Sequence, residues 1–222
     1  MRLALFDLDH TLIPFDSDYA WGEFTVALGW RDGDSFSKAN DGFYADYKAG
    51  TLDIHRYVRF AIEAVRERGL KAALEARDRF MVEVVQPTLK DTALSLVRQH
   101  QAAGDTAVIV TATNEFVTRP IAKAFGVDEL IAIDLATDEQ GEPTGDIRGT
   151  PSFREGKVAR VEQWLAARGL SWVDVQHSTF YSDSMNDMPL LEKVHEPVAT
   201  NPDARLQAIA LQRGWRILNL FE

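Results

Sequence analysis

Two aspartates near the start of the chain have the types and spacing of catalytic carboxylates. Asp7 and Asp9 stand two positions apart, directly after the apolar run Leu3–Phe6. Such a run, ended by turn residues, is typical of a buried strand in a parallel sheet, and open α/β sheets bind ligands at the carboxyl ends of these strands. Asp7 is therefore a candidate nucleophile or metal ligand and Asp9 a candidate acid/base. Alternatively, Asp9 and Thr11 only supply turn and capping oxygens.

Polar residues also stand at the ends of two later strand-like runs. One run leads into Thr111 and Asn114, and another leads into Asp183 and Asp187. Parallel strands direct their carboxyl ends to one edge of the sheet, so these residues can share a crevice with the first two aspartates. Lys157 can reach the crevice from the start of a helix. Each residue also has a structural alternative, as a helix cap, a salt-bridge partner or a solvated lysine.

This combination of side chains is suited to phosphoryl transfer. A few carboxylates match Mg²⁺, which retains water and accepts substrate phosphate oxygens as ligands. A threonine at the head of a helix favours an anion, and a lysine offsets the remaining phosphate charge. The set therefore predicts transfer of a phosphoryl group to a carboxylate nucleophile, with Mg²⁺ as cofactor and a small phosphorylated metabolite as partner.

The elements that must position these residues fall into two groups. From Asp16 to about Gln86 the hydrophobic pattern is helical throughout. From Asp91 onward, apolar runs alternate with helical patterns, which indicates βαβ units and a parallel sheet. We predict an α/β fold, a doubly wound, Rossmann-like parallel sheet with an inserted α-helical cap. The core domain would comprise residues 1–14 and 87–222, and the cap domain residues 15–86.

The pattern also gives boundaries for individual elements. Four cap helices are predicted to begin near Asp16, Ser35, Asp53 and Lys71, with a glycine or proline ending each of them. The segment 138–150 is rich in Gly, Pro and acids, which is typical of a hairpin or a loop.

Composition limits the partners. The chain of 222 residues has a formal net charge of −10, which disfavours nucleic acid or an anionic membrane, because phosphate backbones bind clustered Lys and Arg. It has no cysteine, which excludes a thiolate nucleophile and agrees with a cytoplasmic location. No apolar run approaches the roughly 20 residues of a membrane span. We expect a cytoplasmic monomer or homodimer with no membrane partner.

The order of these motifs resembles that of the haloacid dehalogenase-like hydrolase superfamily, in particular its phosphoserine-phosphatase-like branch. The resemblance extends over essentially the whole chain and includes a helical cap between the first two motifs. The four motifs are Asp7-Leu8-Asp9-His10-Thr11-Leu12, Val110-Thr111-Ala112-Thr113-Asn114, Gly156-Lys157 and Tyr181-Ser182-Asp183-Ser184-Met185-Asn186-Asp187.

The resemblance implies a role for each catalytic residue. Asp7 would be the nucleophile that becomes an aspartyl-phosphate. Asp9 would protonate the leaving oxygen and later deprotonate water. Thr111 and Lys157 would hold the phosphoryl group, and Asp187 would hold the metal site or Lys157 in place. The implied Mg²⁺ ligands are Asp7, Asp9 through its carbonyl, Asp183 and Asp187.

Departures from phosphoserine phosphatases bear on the substrate. Thr111-Ala112-Thr113 replaces the usual Ser-Gly-Gly, and Asp16 stands where a longer acid contacts the substrate amine. The arginine that binds the substrate carboxylate falls near Ala61, with Arg56 and Arg59 close by. A substrate with an amine and no carboxylate fits better than phosphoserine, and histidinol phosphate is the first candidate. The predicted substrate-binding residues are Thr111, Ala112, Asn114, Asp16 and Arg59.

Three other functions fit parts of the same pattern. A phosphotransferase or mutase would pass the phosphoryl group to a sugar instead of water. A signalling module would be phosphorylated at Asp7 without turnover, although an acid/base at Asp9 favours turnover. A metal-dependent glycosyltransferase would use Asp-x-Asp to bind a nucleotide sugar, and Lys157 would then have no role.

Overall fold

A parallel sheet forms the centre of the computed structural model, which describes residues 1–221. The strands are β1 (Arg2–Phe6), β2 (Thr106–Asn114), β3 (Glu129–Ile133), β4 (Leu135–Thr137), β5 (Pro143–Ile147), β6 (His177–Ser182), β7 (Glu196–Thr200) and β8 (Arg216–Leu218). Six of them form the sheet, in the order β3-β2-β1-β6-β7-β8, and β4 and β5 pair as a separate antiparallel hairpin. The chain thus winds outward in both directions from β1, which confirms the predicted fold class.

The segment between β1 and the sheet's next strand is helical, as predicted. Its helices are α1 (Ser17–Ala27), α2 (Gly33–Ala49), α3 (Ile54–Ala61), α4 (Glu63–Arg68) and α5 (Leu70–Phe80). The predicted third helix is wrong as a single element, because the buried Ile62 leaves helical geometry and separates α3 from α4. The predicted fourth helix ends as a π-helical turn, Met81–Val85. We call residues 15–86 the helical insertion.

Helices cover both faces of the sheet, because successive strand residues point to opposite sides. The helices after the insertion are α6 (Asp91–Ala102), α7 (Glu115–Ala124), α8 (Glu155–Ala166), α9 (Met188–Leu191) and α10 (Ala204–Arg213). Ala4 and Phe6 of β1 pack in one apolar cluster with α6 and α7. Leu3 and Leu5 pack in another with α8, α9 and α10. None of the described helices is both long and apolar enough to cross a membrane.

The helical insertion is attached to the core by apolar packing at α1 and α5. Trp21 of α1 meets Phe80 of α5 and Phe116 of α7 edge-on, with ring centroids 5.5 and 5.6 Å apart. Glu142, in the turn of the β4–β5 hairpin, accepts a hydrogen bond from the Leu70 N–H at 2.7 Å. One apolar cluster therefore runs from the insertion into the core. The division into domains at residues 14 and 87 stays a prediction.

Candidate active site

A tight turn after β1 folds the chain back onto Asp7. The Leu8 carbonyl oxygen accepts hydrogen bonds from the backbone N–H groups of residues 11–13 at 2.8 to 3.2 Å. The Asp7 N–H donates to the Tyr181 carbonyl of β6 at 2.9 Å. The turn therefore places Thr11 beside Asp7 and fixes both at the carboxyl end of the central strand.

Lys157, the third residue of α8, is buried between two acids. Its Nζ lies 2.7 Å from Asp7 Oδ1 and 2.7 Å from Asp187 Oδ2, and its side chain is 2% exposed. Burial alone lowers the pKa of Lys157, but the charges of Asp187 and Asp7 outweigh burial and raise the pKa above its ordinary value. Lys157 is therefore a permanently charged ammonium that contacts the candidate nucleophile.

The loop before α8 determines where this lysine stands. A Cβ atom at Gly156 would lie 2.0 Å from the Pro151 carbonyl oxygen, so the close approach of the backbone requires glycine. The Ser152 hydroxyl donates a hydrogen bond to the Thr111 carbonyl of β2. The Gly156-Lys157 motif is thus a glycine that permits the turn, followed by the side chain that the turn delivers.

A second acid, Asp183, lies near the other carboxylate oxygen of Asp7, on the far side of the Thr11 hydroxyl. The Thr11 hydroxyl oxygen is 3.3 Å from Asp7 Oδ2 and 3.2 Å from Asp183 Oδ1. It also accepts a hydrogen bond from the Asp183 N–H at 3.1 Å. Burial, followed by the charges of Asp7 and Asp187, raises the pKa of Asp183 well above its ordinary value. The two acids that meet at Thr11 would be relieved of this repulsion by a bound cation.

The available oxygen donors fit Mg²⁺ better than a metal held entirely by side chains. Within residues 1–221, no three His, Cys, Asp or Glu side chains are grouped as a metal site. Mg²⁺ suits such a set, because it is bound through one or two carboxylates and keeps several waters. Asp7, Asp183 and the Asp9 carbonyl are the donors we favour. The predicted role of Asp187 as a ligand stays a prediction, and its Oδ2 accepts hydrogen bonds from Lys157 and Ser182, each at 2.7 Å.

Both carboxylate oxygens of Asp9 are held by hydrogen bonds. The Ser17 N–H donates to Oδ1 at 2.9 Å, and the Thr113 hydroxyl donates to Oδ2 at 2.7 Å. Burial and, secondly, the charge of Asp16 raise the pKa of Asp9 to about 6, against these hydrogen bonds. A carboxyl group with a pKa near neutrality can both give and take a proton, which is the property that an acid/base residue requires.

The second motif lies at the end of β2 and is buried. The Thr111 hydroxyl oxygen accepts a hydrogen bond from the Thr113 N–H at 3.1 Å, and Ala112 lies between them. Asn114 is the N-cap of α7, where its side-chain oxygen accepts a backbone N–H at 3.3 Å. Its side-chain amide donates to Asp18 at 2.7 Å. The structure therefore shows the capping role of Asn114, and the substrate contacts of this motif stay predictions.

The two predicted substrate-binding residues of the helical insertion lie in different surroundings. Asp16 is the N-cap of α1 and accepts the Tyr19 N–H at 2.8 Å. Arg59 pairs with Asp146 of the hairpin, with Nη2 and Oδ1 2.8 Å apart and both side chains more than half exposed. Asp16 is close enough to Asp9 to raise its pKa, whereas Arg59 is engaged at the protein surface. The substrate contacts of both stay predictions.

Several contributors to the site had no catalytic or binding role in the sequence analysis. Thr11, Thr113 and Ser182 orient the acids through their hydroxyls. All three stand inside the motifs, so their position was the available signal. The Tyr47 hydroxyl lies 2.9 Å from Ser184 Oγ, although the helical pattern around α2 does not distinguish this tyrosine from its neighbours.

Comparison with known proteins identifies the family. The model of the haloacid dehalogenase-like hydrolase family matches residues 4–192, which include all four motifs. A histidinol-phosphatase from Neisseria meningitidis serogroup C (strain 8013) is 42% identical over 218 residues, covering 98% of each chain. The chain belongs to the haloacid dehalogenase-like hydrolases.

Solved structures agree with this assignment. A protein described as having unknown function, from Bordetella pertussis Tohama I, is 48% identical with a TM-score of 0.93 and 99% coverage of both chains. A substrate-bound phosphoserine phosphatase has a TM-score of 0.66 at 17% identity, covering 100% of this chain and 93% of that one, which shows a shared fold. Within its family, the protein is a phosphatase, and it shares the fold of the phosphoserine phosphatases.

Proposed function

We propose that the protein is a Mg²⁺-dependent phosphomonoesterase that hydrolyses a small phosphorylated metabolite through an aspartyl-phosphate at Asp7. The observation that carries the proposal is the position of Lys157, whose ammonium contacts both Asp7 and Asp187 at 2.7 Å in a buried site. A charged lysine beside a carboxylate nucleophile lowers the repulsion that an approaching phosphate dianion meets. Asp9, with a pKa of about 6, supplies the acid/base beside them.

The residues divide the reaction into two steps. A carboxylate oxygen of Asp7 attacks phosphorus, the ester P–O bond breaks, and Asp9 gives its proton to the leaving oxygen. Asp9 then takes a proton from water, whose oxygen attacks the phosphorus. The bond between phosphorus and the Asp7 oxygen breaks, which releases inorganic phosphate and restores Asp7.

The phosphoryl group would be bound by Lys157 and by Thr111. Lys157 would donate to its oxygens, and Thr111 would donate its hydroxyl once the Thr113 N–H had oriented it. When bound at Asp7, Asp183 and the Asp9 carbonyl, Mg²⁺ would supply positive charge to the same oxygens. Thr11 keeps the two carboxylates together through their shared contacts with its hydroxyl.

Histidinol phosphate is the substrate that we propose first. Asp16 places a negative charge beside Asp9, where the leaving group of a phosphate on Asp7 would lie. The Neisseria relative is named as a histidinol-phosphatase. An amine on the leaving group would be attracted to Asp16, and Arg59 is already paired with Asp146.

Hydrolysis and its metal dependence test the proposal. We expect purified protein with Mg²⁺ to release inorganic phosphate from histidinol phosphate, and to do so faster than from phosphoserine. EDTA should abolish the release and excess Mg²⁺ should restore it, because Asp7 and Asp183 otherwise repel the phosphate dianion. Full activity in the chelator, with no metal in the protein, would contradict the site assignment. Faster transfer to added sugars than to water would favour the phosphotransferase alternative.

Asp16→Asn tests whether the charge of Asp16 recognises the substrate amine. Asn caps a helix about as well as Asp but carries no charge. If Asp16 binds the substrate amine, kcat/KM on an amino-alkyl phosphate should fall about tenfold or more, the strength of one charge-assisted hydrogen bond. Glycerol phosphate, which lacks the amine, should lose only as much activity as the smaller acid fraction of Asp9 accounts for.

The pH profile separates this role from an indirect one. The charge of Asp16 helps to raise the pKa of Asp9 to about 6. Protonation of the leaving group requires the acid form of Asp9, so this activity is present below that pKa and lost as pH rises through it. Removing the charge should move the loss to lower pH. Equal losses on both alkyl phosphates, accompanied by this shift, would mean that Asp16 acts only through Asp9.

A further inference from the structure

The last turn of α2 meets the core through polar contacts. Core side chains donate hydrogen bonds to the carbonyl oxygens of Tyr47, Lys48 and Gly50 at 3.4, 3.3 and 2.9 Å. The donors are Asn186, Arg205 and Arg154, respectively. Arginine is favourable at this position because the carboxyl end of a helix carries partial negative charge.

One of these contacts reaches the loop that carries the acids of the active site. The Tyr47 hydroxyl lies 2.9 Å from Ser184 Oγ, which also accepts a hydrogen bond from the Asn186 N–H at 3.2 Å. Ser184 and Asn186 stand between Asp183, a favoured metal ligand, and Asp187, which holds Lys157. The end of α2 is therefore attached directly to the segment that fixes both acids.

The attachment of α2 differs from that of the rest of the helical insertion. Trp21 of α1 is buried against rings of α5 and α7, so separation there would expose a large apolar area. The end of α2 is held by hydrogen bonds that water can replace, and a cavity of about 370 Å³ lies beside them, lined in part by Gly50, Arg154 and Asn186. Because Asp7 is only 7% exposed, a substrate needs some such separation to enter.

We propose that Tyr47 is a positioning residue that orders the loop from Asp183 to Asp187 when α2 is docked on the core. The inference rests on the proposed function, because it concerns the metal and lysine of that site. Docking of Tyr47 on Ser184 fixes the loop backbone between the two acids. The site is therefore fully assembled for Mg²⁺ and for the phosphoryl group only in the docked state.

A set of conservative variants of the full-length protein tests this role. Tyr47→Phe removes only the hydroxyl and keeps the ring that lies against Phe153, with centroids 6.2 Å apart. Ser184→Ala removes the partner, and the double variant reports whether the two act together. Tyr44→Phe is the matched control, because Tyr44 lies on the same helix, is 52% exposed and has its ring beside Lys48.

Mg²⁺ binding without substrate, measured by calorimetry, is the main readout. We expect Tyr47→Phe to weaken Mg²⁺ binding about fivefold, the effect of one neutral hydrogen bond. Added to Ser184→Ala, it should weaken binding less than about twofold further, because residues in contact are not additive. Tyr44→Phe should bind as the wild type does. Thermal unfolding midpoints, compared without metal, would identify a loss that is only structural.

Turnover gives a second readout, which separates ordering of the Asp183–Asp187 loop from recognition of the substrate's leaving group. Tyr47→Phe should lower kcat/KM by a similar factor on histidinol phosphate and on an aryl phosphate, because it acts on the phosphoryl side of the site. Wild-type Mg²⁺ affinity in Tyr47→Phe, or simple additivity with Ser184→Ala, would overturn the inference alone. Mg²⁺ binding by a wild type that hydrolyses no phosphomonoester would refute only the proposed function. A wild type that binds no Mg²⁺ would refute both.

Discussion

Asp7→Asn should retain less than about one percent of the wild-type kcat, as expected when a covalent nucleophile is removed. The amide does not attack phosphorus and is a poor Mg²⁺ ligand. The fold should tolerate the change, because it removes one of the charges that raise the pKa of Asp183. Steady-state hydrolysis of histidinol phosphate, together with thermal unfolding, measures both effects.

The matched control for this variant is Asp78→Asn. Asp78 is exposed on α5, so the same chemical change should leave kcat and the unfolding midpoint as in the wild type. If Asp7→Asn kept several percent of the rate, the aspartyl-phosphate route would be wrong. A large drop in its unfolding midpoint would instead show that Asp7 is needed for the fold.

Lys157→Met should lower both activity and stability. Loss of one charged group that contacts the transferring phosphoryl should reduce kcat by about 100-fold or more. Removing the ammonium also leaves two buried acids without their cation, which should lower the free energy of unfolding by about 3 kcal/mol. Kinetic assays and urea unfolding at several pH values measure the two effects.

The stability loss should depend on pH in a defined direction. Burial already raises the pKa of Asp187 to about 6 despite Lys157, and removing Lys157 would raise it further. The folded variant then keeps a proton that the unfolded chain releases, so its stability falls as pH rises from about 4 to above 6. Lys193→Met is the control, because it removes a lysine from an exposed ion pair. The Lys193 side chain is 42% exposed, and its Nζ lies 3.6 Å from Glu162 Oε1. A variant equally stable at pH 5 and pH 8 would contradict this account.

The fold was predictable because its signals are local and repeated. The apolar run Leu3–Phe6 has no polar alternation, and the structure buries it on both faces as the central strand. The break inside the third predicted helix was not visible in the same way. Ile62 has the residue type of a helix interior, and burial of its side chain within the insertion, rather than a glycine or proline, accompanies the break.

The part of the site that lies at the carboxyl ends of the parallel strands was predictable from the sequence. Asp7 and Lys157 are 150 positions apart, yet the prediction that they meet required only parallel strands and a helix that begins near their edge. The partner of Arg59 could not be found in this way, since Asp146 lies in a hairpin whose orientation depends on tertiary packing. Tyr47 was missed for the same reason, because only docking of α2 gives its hydroxyl a partner.

The central position of β1 has a consequence for biosynthesis. β1 precedes both of its partners in the chain, because it pairs with β2 and with β6, which begins at His177. Until then the apolar residues Leu3–Phe6 lack one of their neighbours, and an unpaired apolar strand is a point of attack for aggregation during folding. The proposed active site is completed later still, when Asp187 has been made and can contact Lys157. During synthesis, β1 therefore has one unpaired edge until β6 follows, and Lys157 lacks one of its two acid contacts until Asp187 follows.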